Sequence, residues 1–145
     1  MKYSLSTLLR WFGMGATPIL LVFVVILSLT PPSEIVGVVS KVPFGDKGAH
    51  AIAYAAIAFC MLCGVGVNSK ENTIKSTIRR NRRQLISIMV LIFIIGGIIE
   101  LVQPLFLRGA EWADLIADCI GGILGISLGV VVIIGVQRWE QKRGN

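Results

Sequence analysis

The stretch LISIMVLIFIIGGIIELV, residues 85–102, decides the fold. Its single ionisable side chain is Glu100, close to its end. A helix needs about 20 mainly apolar residues to cross the hydrocarbon core of a bilayer. Pro104 follows as a natural stop, because proline cannot continue the hydrogen-bond ladder. The segment therefore predicts a membrane span over about 84–102. Three more segments read the same way. One covers about 8–29, through PILLVFVVILSL, and closes at Pro31 and Pro32. One covers about 47–67, and one about 112–136, through CIGGILGISLGVVVIIGV. Lipid offers backbone groups no partners, so the spans must be helices rather than open strands. The expectation is an all-α integral membrane four-helix bundle, a single domain over 1–145. The first span is long for a signal peptide, and SLTPPS after it lacks a small-residue cleavage site.

Composition agrees. Of 145 residues, 54% are hydrophobic and 15% charged, against roughly 25% charged in a soluble domain. The net charge of +6 does not signal nucleic acid, because the cations flank apolar segments instead of forming a basic face. Cys60, Cys63 and Cys119 all sit inside apolar runs. Cys60 and Cys63 form a C-x-x-C without redox-motif context, and no second cysteine pair completes a zinc site. They read as small buried hydrophobes. No metal and no cofactor are expected.

Lysine and arginine in the flanks set direction. Lys2, Arg10, Lys70, Lys75, Arg79, Arg80, Arg82, Arg83, Arg138, Lys142 and Arg143 fall on one side, and only Lys41, Lys47 and Arg108 on the other. Both termini and the basic loop are thus expected in the cytoplasm, in a multi-pass protein of the cytoplasmic (inner) membrane. Trp11 and Trp139 suit the inner interface and Trp112 the outer one.

With that direction, the polar residues of the spans gather in the outer leaflet. FGDKGAHAIAY, residues 44–54, places Asp46, Lys47, the only histidine (His50) and Tyr54 at the mouth of the second span. Positions 46, 50 and 54 share one helix face. Glu100 and Gln103 share a face with Gly96 at the outer end of the third span. Arg108 lies in the following loop, and Asp114 and Asp118 open the fourth span, followed by glycines at 121, 125 and 129. At about 1.5 Å per residue, Asp118 lies roughly 9 Å inside its span and Tyr54 about 10 Å inside its own. An acid facing lipid at a helix centre costs about 2.5–3.5 kcal/mol. These side chains should therefore face one another, with close glycine packing turning them inward. Asp46 and Lys47 are expected to cap and anchor their helix, and the Tyr54 hydroxyl to meet an acid. Acids outnumber bases in this layer, so protons or a bound cation must complete the charge balance.

DKGAHAIAYAAIAF, followed by IELVQPLFLRGAEWADLIADCIGGILG, resembles the VanZ-like family of small membrane proteins. Asp46, Lys47, His50 and Tyr54 match the first part of the family pattern, and Glu100, Gln103, Arg108, Asp114 and Gly122 the second, over about residues 44–129. The family commonly has asparagine where this chain has Asp118. The resemblance implies one VanZ-like transmembrane domain and a connection with teicoplanin-type glycopeptide susceptibility.

The reading of the residues carries three functions. The first is a binder in the cell envelope, with an outward polar cluster of Asp46, Lys47, His50, Tyr54, Glu100, Gln103, Arg108, Asp114 and Asp118 that takes a lipid headgroup, an antibiotic or other small molecule, or a partner protein. The second is an intramembrane enzyme for a lipid-linked phosphate, with His50 as general base, Asp114 or Asp118 orienting it, Arg108 holding phosphate and the acids able to recruit a metal beside His50. The third is a lipid transporter, for which four short spans would require a homo-oligomer.

Overall fold

The computed structural model describes residues 3–67 and 73–144. Lys2 and Lys70, two of the cations used above, lie outside the described residues. The order is α1 (Leu5–Leu29), α2 (Pro32–Val39), α3 (Gly45–Val65), α4 (Ile74–Arg80), α5 (Arg82–Val102), a 3-10 turn (Gln103–Phe106) and α6 (Trp112–Gly144). Among the described residues every regular element is helical. Four of the helices are long and apolar enough to cross a membrane. The chain thus has the make-up of a multi-pass membrane protein.

The expected spans hold, with differences at their ends. The first begins three residues earlier, where Ser4 caps α1 by accepting from the Thr7 amide. The last continues to Gly144, past its apolar stretch, and Arg143 lies over the Trp139 ring at 4.1 Å. The short helices α2 and α4 occupy stretches expected to be loops.

α3 is the central element. Its tightest partner is α6, followed by α1. A Cβ on Gly121 would overlap the Ala51 carbonyl oxygen, and one on Gly125 the Ala55 carbonyl oxygen. Glycine on α6 and alanine on α3 therefore let the two backbones touch. The α1–α3 contact uses the same device, because a Cβ on Gly13 would overlap Cys60 O and Gly64 N. Tyr54, Ile57, Leu62, Ile88, Ile92, Val130 and Ile133 fill the core between these helices. Outside it, Phe12, Ile19, Val22 and Ile26 of α1 are exposed, as a lipid-facing surface requires.

The bundle has two distinct ends. At one, the Ser6 amide donates to Glu140 Oε1 at 2.8 Å, Arg10 Nε donates to Gly64 O at 3.3 Å, and Gln137 Nε2 donates to Val67 O at 2.8 Å. The beginning of α1 and the end of α6 therefore lie together. At the other end two sharp turns introduce the polar residues. Phe44 (φ 65°) precedes α3, and Leu107 (φ 60°) precedes Arg108. Left-handed backbone costs a side-chain-bearing residue about 1–2 kcal/mol. Gly48 fits under the first turn, where a Cβ would overlap Pro43 O.

The packing makes a direct comparison available. Gly125→Ala is expected to destabilise the protein by about 1–3 kcal/mol through overlap with Ala55. Gly135, which has open space at its Cβ position, should tolerate alanine or gain from its helix propensity. Equilibrium unfolding of both variants in detergent micelles checks the contrast.

Candidate functional site

The site is built by three helices and one loop. The start of α3 supplies Asp46, Lys47, His50 and Tyr54; the end of α5 supplies Glu100; the loop supplies Arg108 and Glu111; α6 supplies Asp114 and Asp118. His50, Tyr54, Glu100, Gln103, Asp114 and Asp118 are all buried. For the histidine and the acids, burial in one cluster is what their cost in lipid demands.

His50 is the hub. Its Nδ1 lies 2.8 Å from Asp118 Oδ1. An ionised Asp118 accepts from Nδ1–H, and in the neutral ring that leaves Nε2 as the lone pair. Nε2 faces Asp114, whose Oδ2 is 3.9 Å away, beyond hydrogen-bond reach. Lys47 Nζ lies 3.4 Å from Asp114 Oδ1 and 2.7 Å from Glu111 Oε2. Behind Asp118, Gly96 clears the ground: a Cβ there would stand 2.5 Å from Asp118 Oδ2. The Gly96 of the sequence pattern is thus a seat for a carboxylate as well as a packing residue.

A second arm closes the cluster against α1. Arg108 donates to Asp46 Oδ2 at 2.9 Å. It also reaches the carbonyls of Leu27 and Thr30 at 3.5 and 3.4 Å. The Leu27 carbonyl also accepts from the Thr30 amide at 3.3 Å, and both carbonyls lie where α1 ends and no further turn of helix follows. A guanidinium, with five donors in a fixed fork, suits a place where a carboxylate and helix-end carbonyls meet. Glu100 Oε2 accepts from the Glu111 amide at 2.7 Å, which fixes the loop over the cluster.

Three expectations need correction. Gln103 does not join the acids; its Nε2 donates to Ser28 O at 3.4 Å. Its amide still bonds Ile99 O in α-helical register, so Gln103 keeps the spacing from Gly96 and Glu100, and its side chain turns to the end of α1 instead. The Tyr54 hydroxyl meets no acid and has no hydrogen-bond partner among the described residues, although the ring is fully buried and stacks parallel to His50 with centroids 6.4 Å apart. Asp46 does not cap α3: the capping position is Phe44, which makes no side-chain bond, and Asp46 is committed to Arg108. Sequence reasoning left Glu111 out of the cluster. Its pairing with Lys47 was signalled only by the surplus of acids near the loop.

Among the described residues, the buried Glu100 Oε1, Asp114 Oδ1 and Asp118 Oδ2 have no hydrogen-bond partner, Asp114 Oδ1 having only the Lys47 ammonium at 3.4 Å. An apolar groove of about 420 Å³ between α1, α2 and α3 leads to the cluster. Leu20, Phe23, Val24, Ile52 and Ala53 line it, and Asp46, His50 and Arg108 stand at its polar end. No family model, no curated protein and no solved structure matches this chain.

The Asp118 contact separates charge from hydrogen bonding. Asp118→Asn keeps an acceptor for the His50 Nδ1 proton, whereas Asp118→Leu leaves that buried donor unpaired. The leucine variant is expected to be less stable than the asparagine variant by about 1–3 kcal/mol. Unfolding of both in the same micelles reads the difference.

Proposed function

We propose that this is a VanZ-like protein of the cytoplasmic membrane, with both termini in the cytoplasm, that binds an anionic amphiphile from the outer leaflet. The observation that carries the reading is the groove: apolar along its length and polar at one end, it matches the two parts of a lipid or a lipid-bearing antibiotic. An acyl chain would lie against Leu20, Phe23 and Ile52, and the headgroup would meet Arg108 and His50. Lys47, half exposed beside Glu111, would meet the headgroup from the water side. The excess of lysine and arginine at the opposite end supports the orientation. The motif pattern around Asp46, His50, Glu100, Arg108 and Asp114 supports the family, and with it an effect on teicoplanin-type susceptibility.

Native mass spectrometry of the purified protein with phosphatidylglycerol and phosphatidylcholine tests this reading. The expected result is one bound phosphatidylglycerol, little phosphatidylcholine, and at least about a tenfold loss of the adduct in Arg108→Gln and in Ile52→Trp. Equal binding of both lipids by wild type and variants would contradict it. In cells, expression should shift the inhibitory concentration of teicoplanin, and Arg108→Gln at equal protein level should remove the shift.

The His50–Asp118 pair favours one second reading, an enzyme acting on a lipid-linked phosphate. There His50 Nε2 would serve as general base, with its ring held by Asp118. Phosphate release from a polyprenyl diphosphate by wild type and its loss in His50→Ala would move the assignment from binder to enzyme.

A further inference from the structure

The surplus of negative charge in the cluster has a geometric counterpart. Among the described residues, Lys47 pairs with Glu111 and Asp114 and Arg108 with Asp46, while Glu100 and Asp118 pair with neither cation. One donor atom each from Asp46, His50 and Asp114 lies within 4.8 Å of the other two. These residues come from the first two turns of α3 and the first turn of α6, brought together by the glycine–alanine contact. Metal–nitrogen and metal–oxygen bonds are about 2.0–2.2 Å long. Two donors around one ion are therefore roughly 3–4 Å apart, the scale of the 3.9 Å gap between His50 Nε2 and Asp114 Oδ2.

We propose that Asp46, His50 and Asp114 bind one divalent transition-metal ion of the Zn²⁺ or Mn²⁺ class. Two independent features point to a ligand. Asp114 is 3% exposed; among the described residues its Oδ1 has only the ion-pair contact with Lys47 at 3.4 Å, and its Oδ2 stands 3.9 Å from His50 Nε2. The imidazole is also already held as a metal ligand is held. A metal-binding histidine donates its other ring N–H to a carboxylate, which fixes the ring and the tautomer. Asp118 occupies that position behind His50, on Nδ1, and leaves Nε2 facing Asp114 at 3.9 Å. One imidazole with two carboxylates is a mixed donor set, harder than a cysteine site and softer than an all-oxygen magnesium site. Arg108 holds Asp46 through Oδ2, and a carboxylate with two oxygens can serve a guanidinium and a metal together. Lys47 competes with the ion for Asp114.

This site stands apart from the amphiphile reading, because its ligands are complete without a lipid. If both hold, the ion lies at the polar end of the groove, where it can take a phosphate oxygen.

The test uses full-length protein in lipid-free detergent micelles, stripped with chelator and dialysed against Zn²⁺ or Mn²⁺, with metal per chain measured by elemental mass spectrometry. The expected result is about one ion per chain, with affinity weakened at least about tenfold in His50→Gln and Asp114→Asn, and by about 10–100-fold in Asp118→Asn. Lys47→Met should tighten binding several-fold by removing a competing ammonium, an effect that damage to the fold cannot produce. Substoichiometric metal in wild type, binding indifferent to His50→Gln, or weaker binding in Lys47→Met would overturn the proposal. A protein that binds the ion but no phosphatidylglycerol would count against the amphiphile reading alone.

Discussion

The hydrogen bond from His50 to Asp118 depends on an environment that supplies no alternative. In water either side chain could turn outward and be solvated. Inside a bilayer the partners must come from the protein, and an unpaired polar group costs several kcal/mol. The bond therefore requires that α3 and α6 approach closely at that level, and Gly121 and Gly125, resting on Ala51 and Ala55, permit the approach. Packing and polarity act on the same pair of helices. The small residues bring the backbones together, and the resulting short separation lets an imidazole reach a carboxylate at 2.8 Å.

The remaining polar contacts extend from that pair. Gly96 on α5 leaves room for Asp118, so a third helix is shaped around the same carboxylate. Glu100, one turn further on, ties the loop through the Glu111 amide. That loop delivers Arg108 to Asp46 and to the last carbonyls of α1, and so engages the helix that has least to do with the acids. Two left-handed residues, Phe44 and Leu107, stand at the turns that make this possible, with both side chains exposed. Their strain is localised where the chain must reverse beside the cluster.

Much of this arrangement is legible in the sequence because membrane burial follows simple rules. Apolar runs interrupted by Pro31, Pro32 and Pro104 mark the long helices, and four-residue spacing places Asp114 beside Asp118 and Asp46 beside His50. The expense of acids in lipid then argues that they converge, and His50, Glu100, Asp114 and Asp118 do. What could not be read depends on local geometry. Gln103 stays in α-helical register but its side-chain amide reaches the Ser28 carbonyl of α1 rather than the acids, a choice of partner that spacing does not encode. Tyr54 stacks on His50 instead of reaching an acid, since the ring's place is set by core packing on every side. Arg108 and the α1 carbonyls carry no sequence periodicity that links them, so their contact is visible only in three dimensions. The short helices α2 and α4 lie outside the apolar runs, where span length gives no signal.

The central claim is that the single histidine is locked between two helices by Asp118, with its Nε2 facing Asp114. Nitrogen-15 NMR of histidine-labelled, metal-free protein in lipid bilayers reads this without ambiguity, since one residue gives the whole signal. The account predicts a proton on Nδ1 in a strong hydrogen bond, an unprotonated Nε2, and loss of that pattern in Asp118→Leu. A ring protonated at Nε2 instead, unaffected by replacement of Asp118, would contradict it.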